Sequence, residues 1–241
     1  MTTHPLFLDD AYTRTATGKV TGLTEQGGIL VDQSLFYATG GGQPGDSGEI
    51  RWNGQARRIA TAVKAEGGQI ALVPEGNPGP LPEVGEEIEQ EIDWDRRLGH
   101  MRVHTALHLL SVVIPLPVTG GSISRDKGRL DFDMAEAPED KEALAEALNA
   151  LVDRDLEISE TWITDAELDA NPGLVKTMSV MPPRGAGRVR LVRIGTANEQ
   201  IDLQPCGGTH VARTGEIGRL RIGKVEKKGK QNRRVYLHLE T

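Results

Sequence analysis

The chain is predicted to be an α+β protein, with a β-barrel-like domain over residues 1–92 followed by an α+β domain over residues 93–241. Three observations carry that prediction. The first ninety residues alternate apolar and polar positions in short runs separated by glycine. A long helical pattern then begins beyond residue 92, and the remainder mixes helical stretches with strands that end in a basic hairpin.

In the first part, RTATGKVTGL, GGILVDQSLFYA, GEIRWN and QIALVPEG are the strand-like runs, consistent with a small barrel. The segment VPEGNPGPLPEVGEE is rich in Pro and Gly, and the acidic, strand-like EEIEQEID closes the domain before Trp94. A helix follows in DWDRRLGHMRVHTALHLLSVVI, where Asp93 or Asp95 can cap the start. Leu98, Met101, Ala106, Leu109, Leu110 and Val113 give it an apolar side, and Pro115 stops it. A second helix is predicted from about Pro138 to Leu151, with Pro138 in its first turn and Leu144, Leu148 and Leu151 on one stripe. ITDAELDANPG reads as a short helix ended by Asn171-Pro172, and SISRDKGRLDFDM, GRVRLVRIG and QIDLQPC read as strands. The last two strands form a hairpin around Lys228-Gly229-Lys230.

A chain of 241 residues, 37% hydrophobic and 26% charged, can bury a sizeable core. No apolar run approaches the roughly 20 residues of a membrane helix, and the first residues meet acids before any signal-like core builds up. A cytoplasmic protein is expected. The single cysteine cannot form an internal disulfide, so its thiol is either free or a metal ligand. A net charge of −7 argues against a uniformly basic surface, but the basic residues are unevenly spread. RLRIGKVEKKGKQNRR is opposed only by Glu226, and Arg184, Arg188, Arg190 and Arg193 precede it. This is either a solvated strand pair or a phosphate-facing surface, with Lys224, Lys227, Lys228, Lys230, Arg233 and Arg234 as the candidate contacts.

His104 and His108 stand four apart within the long helical pattern, so both imidazoles leave one face a turn apart. Cys206 and His210 repeat that spacing in CGGTH. Three imidazoles and a thiolate describe a tetrahedral Zn²⁺ site, and Gly207-Gly208 lets the backbone wrap closely. A helical histidine pair alone is more often packed core, and the lone thiol is what strengthens the metal reading. H-E-x-x-H is absent, which disfavours peptide hydrolysis of the zinc-protease type.

The stretch FYATGGGQPGDSG, residues 36–48, lacks the Lys-Ser/Thr of a phosphate loop, and no helix follows it as a dinucleotide fingerprint requires. It is either a wide turn between strands or a backbone that approaches a ligand, with Thr39 and Gln43 as polar contacts.

Taken together, HTALHLL, CGGTH, FYATGGGQPGDSG, GRLDFDM and EKKGKQNRR resemble, in residues and in order, the editing region of alanyl-tRNA synthetases and the freestanding alanyl-tRNA editing proteins of the AlaX family, medium-length type. The resemblance runs from about residue 36 to 236. It implies a trans-editing deacylase that cleaves the ester joining serine, or glycine, to alanine tRNA. It also implies zinc on His104, His108, Cys206 and His210, and an editing domain like the synthetase second additional domain. Thr105 and Gln43 match the family as well.

For that chemistry a water must be aimed at an acyl carbonyl and the developing oxyanion stabilised. Zinc can serve either step, yet four protein ligands make a closed shell. Either one ligand yields, with His210 the first expected because it comes last on a glycine-containing turn, or the ion organises the pocket. Accepting serine while rejecting the smaller alanine requires a hydrogen bond to the extra hydroxyl, for which Thr39, Gln43 and Thr105 are the candidates. Two other functions fit the same residues: a zinc-stabilised tRNA-binding module without catalysis, and a zinc hydrolase of small esters.

Overall fold

The computed structural model describes residues 2–76, 79–177 and 187–240. Two compact units divide the chain at Leu98/Gly99. The division falls six residues beyond the sequence expectation of 92, inside a helix, because the first turn of that helix is tied to the first unit.

The first unit contains β1 (His4–Pro5), α1 (Leu6–Asp9), β2 (Thr15–Leu23), β3 (Ile29–Val31), β4 (Gln33–Ser34), β5 (Gly48–Trp52), β6 (Gln55–Ala65), β7 (Gln69–Pro74) and β8 (Glu87–Ile92). Six of these strands close a barrel in the order β2-β3-β7-β6-β5-β8. Strand β8 shows the underlying pattern: Ile88, Gln90 and Ile92 point inward while Glu87, Glu89 and Glu91 face solvent. The interior is filled by Val20, Ile29, Ile50, Ile59, Leu72 and Ile88. Gln90 is buried among them because both ends of its amide are used: Nε2 donates to the Gln33 carbonyl at 2.9 Å and Oε1 accepts from the Leu35 amide at 3.1 Å. Strand β6 and the one-turn α1 were not expected from sequence.

The glycine-rich stretch joins β4 to β5. Gly40 and Gln43 exchange backbone hydrogen bonds at 3.1 and 2.9 Å across Gly41 and Gly42, whose φ angles are +57° and +84°. Two consecutive positive φ values define a tight turn that glycine adopts without strain. Gly45 has a different reason to be glycine, since a Cβ there would lie 2.2 Å from the Ala62 carbonyl oxygen. Beyond it, Asp46 and Arg97 form an ion pair in which both side chains are fully buried. Arg97 donates through Nε and Nη2 to Asp46 Oδ2 at 2.9 and 2.5 Å, through Nη1 to the Ala11 carbonyl and through Nη2 to the Leu35 carbonyl. Asp46 Oδ2 also accepts from the Tyr37 amide at 2.7 Å. The glycine motif therefore ends in a carboxylate that neutralises the one cation inside this unit's described core.

Helix α2 (Trp94–Val113) contains the division. Asp93 caps it, its Oδ1 accepting from the Arg96 amide at 3.1 Å. From Gly99 to Ser111 the helix is buried almost all round, Arg102 excepted, which is more complete than the one-sided burial the sequence pattern implies.

The second unit continues with β9 (Val118–Ile123), β10 (Lys127–Asp133), α3 (Lys141–Asp153), β11 (Ile158–Ile163), α4 (Asp165–Ala170), β12 (Val189–Gly195), β13 (Gln200–Pro205), β14 (Leu220–Gly229) and β15 (Asn232–Leu239). A four-stranded sheet runs β14-β15-β10-β9 and a three-stranded sheet runs β11-β12-β13. Helix α2 packs on the former so closely that a Cβ on Gly128 would meet Val103 Cγ1 at 2.6 Å. Helix α3 is capped by Asp140, which accepts from the Ala143 amide, so Pro138 lies before the helix rather than in its first turn. Strand β11 is a further element that the sequence reading did not identify, and the hairpin turns at Lys230-Gln231, slightly beyond the expected position. No helix among the described residues is long and apolar enough to cross a membrane.

Asp46→Ala leaves the Arg97 guanidinium buried without a counter-charge. Denaturant unfolding of this variant is expected to show a loss of about 3–5 kcal/mol; a loss below about 1 kcal/mol would mean that the pair does not anchor the glycine motif.

Candidate metal centre

The helical spacing of α2 sets His104 and His108 one turn apart on the same face. The turn that leaves β13 brings Cys206 and His210 to them. The four side chains offer ligand atoms that all lie within 4.8 Å of one another. Cys206 Sγ is 3.5 Å from His104 Nε2 and 3.3 Å from His210 Nε2. A sulfur and a nitrogen bound to the same tetrahedral zinc lie about 3.5 Å apart, so these separations are already those of two edges of a coordination tetrahedron. The three imidazoles pack on each other at centroid distances of 5.3, 4.3 and 4.6 Å. Such packing of buried polar rings around a thiol suits a shared cation and little else.

Neighbouring groups fix which ring nitrogen faces inward. His108 Nδ1 is 2.9 Å from Asp202 Oδ2. An ionised carboxylate only accepts, so Nδ1 carries the proton and the Nε2 lone pair is directed at the cluster. Gln204 Nε2 donates to the same Oδ2 at 2.7 Å, and its 3.0 Å approach to Nδ1 is a by-product of that shared acceptor. Lys176 Nζ donates to the other oxygen, Oδ1, at 2.5 Å. His210 is held in the same manner. Thr105 donates its hydroxyl proton to the Met101 carbonyl at 2.9 Å, so toward His210 Nδ1, 3.1 Å away, it must accept. It also accepts from the Val211 amide at 3.3 Å.

These bonds bear on two points left open by the sequence. Thr105 has its proton and both lone pairs committed within the protein, so it positions His210 and has no capacity left for a substrate hydroxyl. His210, expected to be the ligand that yields first, is 6% exposed and fixed by Thr105. Cys206 is the most exposed of the four.

The electrostatics ready Cys206 and His210 for ligation, while His108 retains a proton that a cation must displace. Burial pushes the Asp202 carboxyl up, but the His108 hydrogen bond and charge together with Lys176 hold it down at about 2. Burial pushes His108 down, yet the hydrogen bonds and charges of Asp202 and Cys206 raise it to about 9. For His210, burial and His104 prevail over Cys206 and lower it to about 3. Burial raises the Cys206 thiol, and the neighbouring imidazoles outweigh that, driving it well below its ordinary value toward thiolate.

The CGGTH turn is shaped by a residue that the charge pattern had placed on the surface. Arg190 is buried, and its Nη1 donates to the Cys206 and Gly208 carbonyls at 2.8 and 2.9 Å while Nε and Nη2 engage Glu160. Asp202, Gln204, Lys176 and Arg190 were all missed as site residues. The one available signal was the alternation of QIDLQPC, which puts Asp202, Gln204 and Cys206 on the same side.

The candidate phosphate contacts separate into two groups. Arg233 is buried, its guanidinium donating to the Gly229, Asn232 and Ala135 carbonyls. Arg234 makes a two-pronged pair with Asp131 at 2.8 and 2.9 Å. Both are thus spent on holding the hairpin together and against β10 and the residues after it. Lys224 and Lys228 flank Glu226, while Lys227 and Lys230 are exposed with no ion pair among the described residues. Arg184 lies outside the described residues. In the first unit, the Thr39 hydroxyl donates to the Ala62 carbonyl at 3.2 Å and accepts from the Gly45 amide at 2.9 Å, and Gln43 is buried.

A buried cluster of three histidines and a cysteine built by a helix and a glycine-containing turn, in an α+β unit that follows a barrel, defines a class of protein also found within larger enzymes. Residues 189–236 match the family described as the threonyl and alanyl tRNA synthetase second additional domain, and residues 11–96 match class II (A) tRNA synthetases. The alanine-tRNA ligase of Pyrobaculum calidifontis is 35% identical over 93% of this chain, and the chain spans 25% of that ligase. The alanyl-tRNA editing protein AlaX-M of Methanosarcina mazei is 32% identical over 98% of this chain and 96% of its own length, and that of Methanosarcina acetivorans is 32% identical over 98% and 99%. The chain belongs to the AlaX-M family of alanyl-tRNA editing proteins.

Asp202→Asn keeps the shape but removes the charge that orients His108. Zinc affinity, measured by competition with a chelating indicator, is expected to fall about 10- to 100-fold. Because a bound cation must displace a His108 proton otherwise retained to about pH 9, wild-type affinity should rise roughly tenfold per pH unit through the neutral range. A flat profile would remove His108 from the ligand set.

Proposed function

We propose that this chain is a cytoplasmic trans-editing hydrolase that removes serine from mischarged alanine tRNA, with glycine as a second substrate, and that it holds zinc through His104, His108, Cys206 and His210. The observation that supports this most is the convergence of those four ligand atoms within 4.8 Å in a chain of the AlaX-M family. The donor set suits zinc in particular, since three imidazoles and a thiolate are borderline-soft and tetrahedral.

The reaction is ester hydrolysis: water adds to the acyl carbonyl, the ribose oxygen leaves with a proton, and serine and a free tRNA terminus result. Zinc in this shell supplies a fixed positive charge next to the ester and, where a ligand gives way, Lewis acidity. The protein's own contribution is to hold that charge in place. Asp202, Gln204 and Lys176 keep His108 in one tautomer, Thr105 does so for His210, and Arg190 holds the carbonyls of the turn carrying Cys206. With four protein ligands closing the shell, an organising ion is favoured over one that is open from the start.

Discrimination against alanine is assigned, as part of this proposal, to Gln43 and Thr39 of the glycine motif. Thr39→Val and Gln43→Ala should shift the ratio of seryl to alanyl deacylation; an unchanged ratio with lowered thermal stability would leave both with the turn alone. Phosphate contacts are assigned to Lys224, Lys227, Lys228 and Lys230, where reversal of Lys227 and Lys230 to Glu should raise KM and flatten the salt dependence.

The deciding experiment follows deacylation of seryl-, glycyl- and alanyl-tRNA for alanine in parallel, with and without chelator, for wild type and Cys206→Ala. Release of serine that disappears with the metal and in the variant is expected. Tight tRNA binding without release would instead make the chain a zinc-stabilised binding module, and full activity in a metal-free preparation would take the cluster out of the reaction.

A further inference from the structure

Four large apolar side chains are left exposed among the described residues: Leu23, Val84, Leu116 and Trp162. Trp162 is the aromatic one, 44% exposed, and it stands in β11, the edge strand of the three-stranded sheet. Its register shows which face it occupies. Trp162 lies opposite Arg190 and Glu160 opposite Val192 across the β11–β12 pair, while Val192 faces Gln204 and Ile194 faces Asp202 across the β12–β13 pair. Opposed residues share a face and every second residue returns to it. Trp162, Glu160 and Arg190 therefore stand on the same sheet face as Gln204 and Asp202, the groups that orient His108.

Distance along that face follows from the pairing. The Cys206 amide donates to the Arg190 carbonyl at 3.1 Å, so Cys206 sits one strand from Arg190 and two from Trp162, about 10 Å away. The Arg190 side chain fills the space between, bound to the Cys206 and Gly208 carbonyls. Over the tryptophan ring lies the guanidinium of the exposed Arg188, with Cζ 5.9 Å from the centroid. An indole face with an adjacent arginine is what single-stranded nucleic acid selects, the ring stacking on a base and the cation meeting the backbone. When an ester on a terminal ribose lies at the cluster, the base of that nucleoside is about as far from it as Trp162 is.

We propose that Trp162, together with Arg188, is the stacking platform for the 3′-terminal nucleobase of the RNA whose acyl ester is presented to the four-ligand cluster. This rests on the deacylase reading above. It adds a determinant of binding that lies outside the ligand set and outside the basic hairpin, and it requires an RNA end, not a duplex surface, as the recognised element.

Two measurements test it. In steady-state deacylation of seryl-tRNA, Trp162→Ala should raise KM about tenfold, the scale of one stacked base, with kcat and zinc content unchanged, and Trp162→Phe should recover most of the loss. In binding, the trinucleotide CCA should quench tryptophan fluorescence of the wild type, and the quench should vanish in Trp162→Phe, which removes the indole proposed to meet the base. A Trp162→Ala enzyme with wild-type KM, or one whose kcat and zinc content fall with KM unchanged, overturns the proposal, as does quenching that survives in Trp162→Phe. A wild type that releases no serine defeats the deacylase reading instead, and the fluorescence measurement still decides whether Trp162 meets an RNA end.

Discussion

The constraint from which the rest of the site follows is that three buried imidazoles and a thiolate must turn their metal-facing atoms toward one point. An imidazole has two nitrogens, and in a closed interior the one facing away must be satisfied or the ring will rotate. For His108 and His210 the outer nitrogens are tied down by different means. Asp202 takes the proton of His108 Nδ1 in a charge-assisted bond, and the neutral Thr105 hydroxyl takes that of His210. The strong acceptor sits behind the ring that it makes most basic, and the weak acceptor sits behind the ring whose basicity is suppressed. The two rings thus differ in basicity although both are held from behind.

The same economy governs the first unit, where a buried charge also decides the local backbone. Arg97 could not be buried beside the Leu35 and Ala11 carbonyls without a carboxylate, and Asp46 can reach it only because the chain before it is compressed. Gly41 and Gly42 make the tight reversal, and Gly45 lies where any side chain would strike β6. Seen this way, much of the glycine motif is the means of delivering a carboxylate and a Tyr37 amide to one guanidinium. The polar side chains within the motif are partly drawn into that task, as the two hydrogen bonds of the Thr39 hydroxyl show.

What the sequence made legible were features carried by local spacing. The four-residue intervals of the ligand pairs, the cap and proline limits of α2, and the alternation in β8 are all local, and each appears in the structure. What it hid depends on register between strands. Arg190 and Arg193 look equivalent in RVRLVR, and only the pairing with Glu160 and the turn beyond β13 makes the first a buried scaffold. Arg233 and Arg234 are adjacent basic residues, yet one is folded under the hairpin and the other is matched with Asp131 on β10. Counting charges cannot distinguish such cases. Strands β6 and β11 were overlooked for a related reason, since QARRIATAVKA and ISETWI carry enough polar residues on their outer faces to blur the apolar period.

Cys206 connects these elements. Of the four ligand residues it is the least buried, and it is also the one whose neighbouring carbonyls are clamped by Arg190. A thiolate on a loose turn would invite oxidation. Clamped as it is, the turn keeps the sulfur in place beside the imidazoles. It borders the sheet face on which Glu160, Arg190 and Trp162 stand side by side, so the arginine that stabilises the turn also spaces the aromatic ring from it.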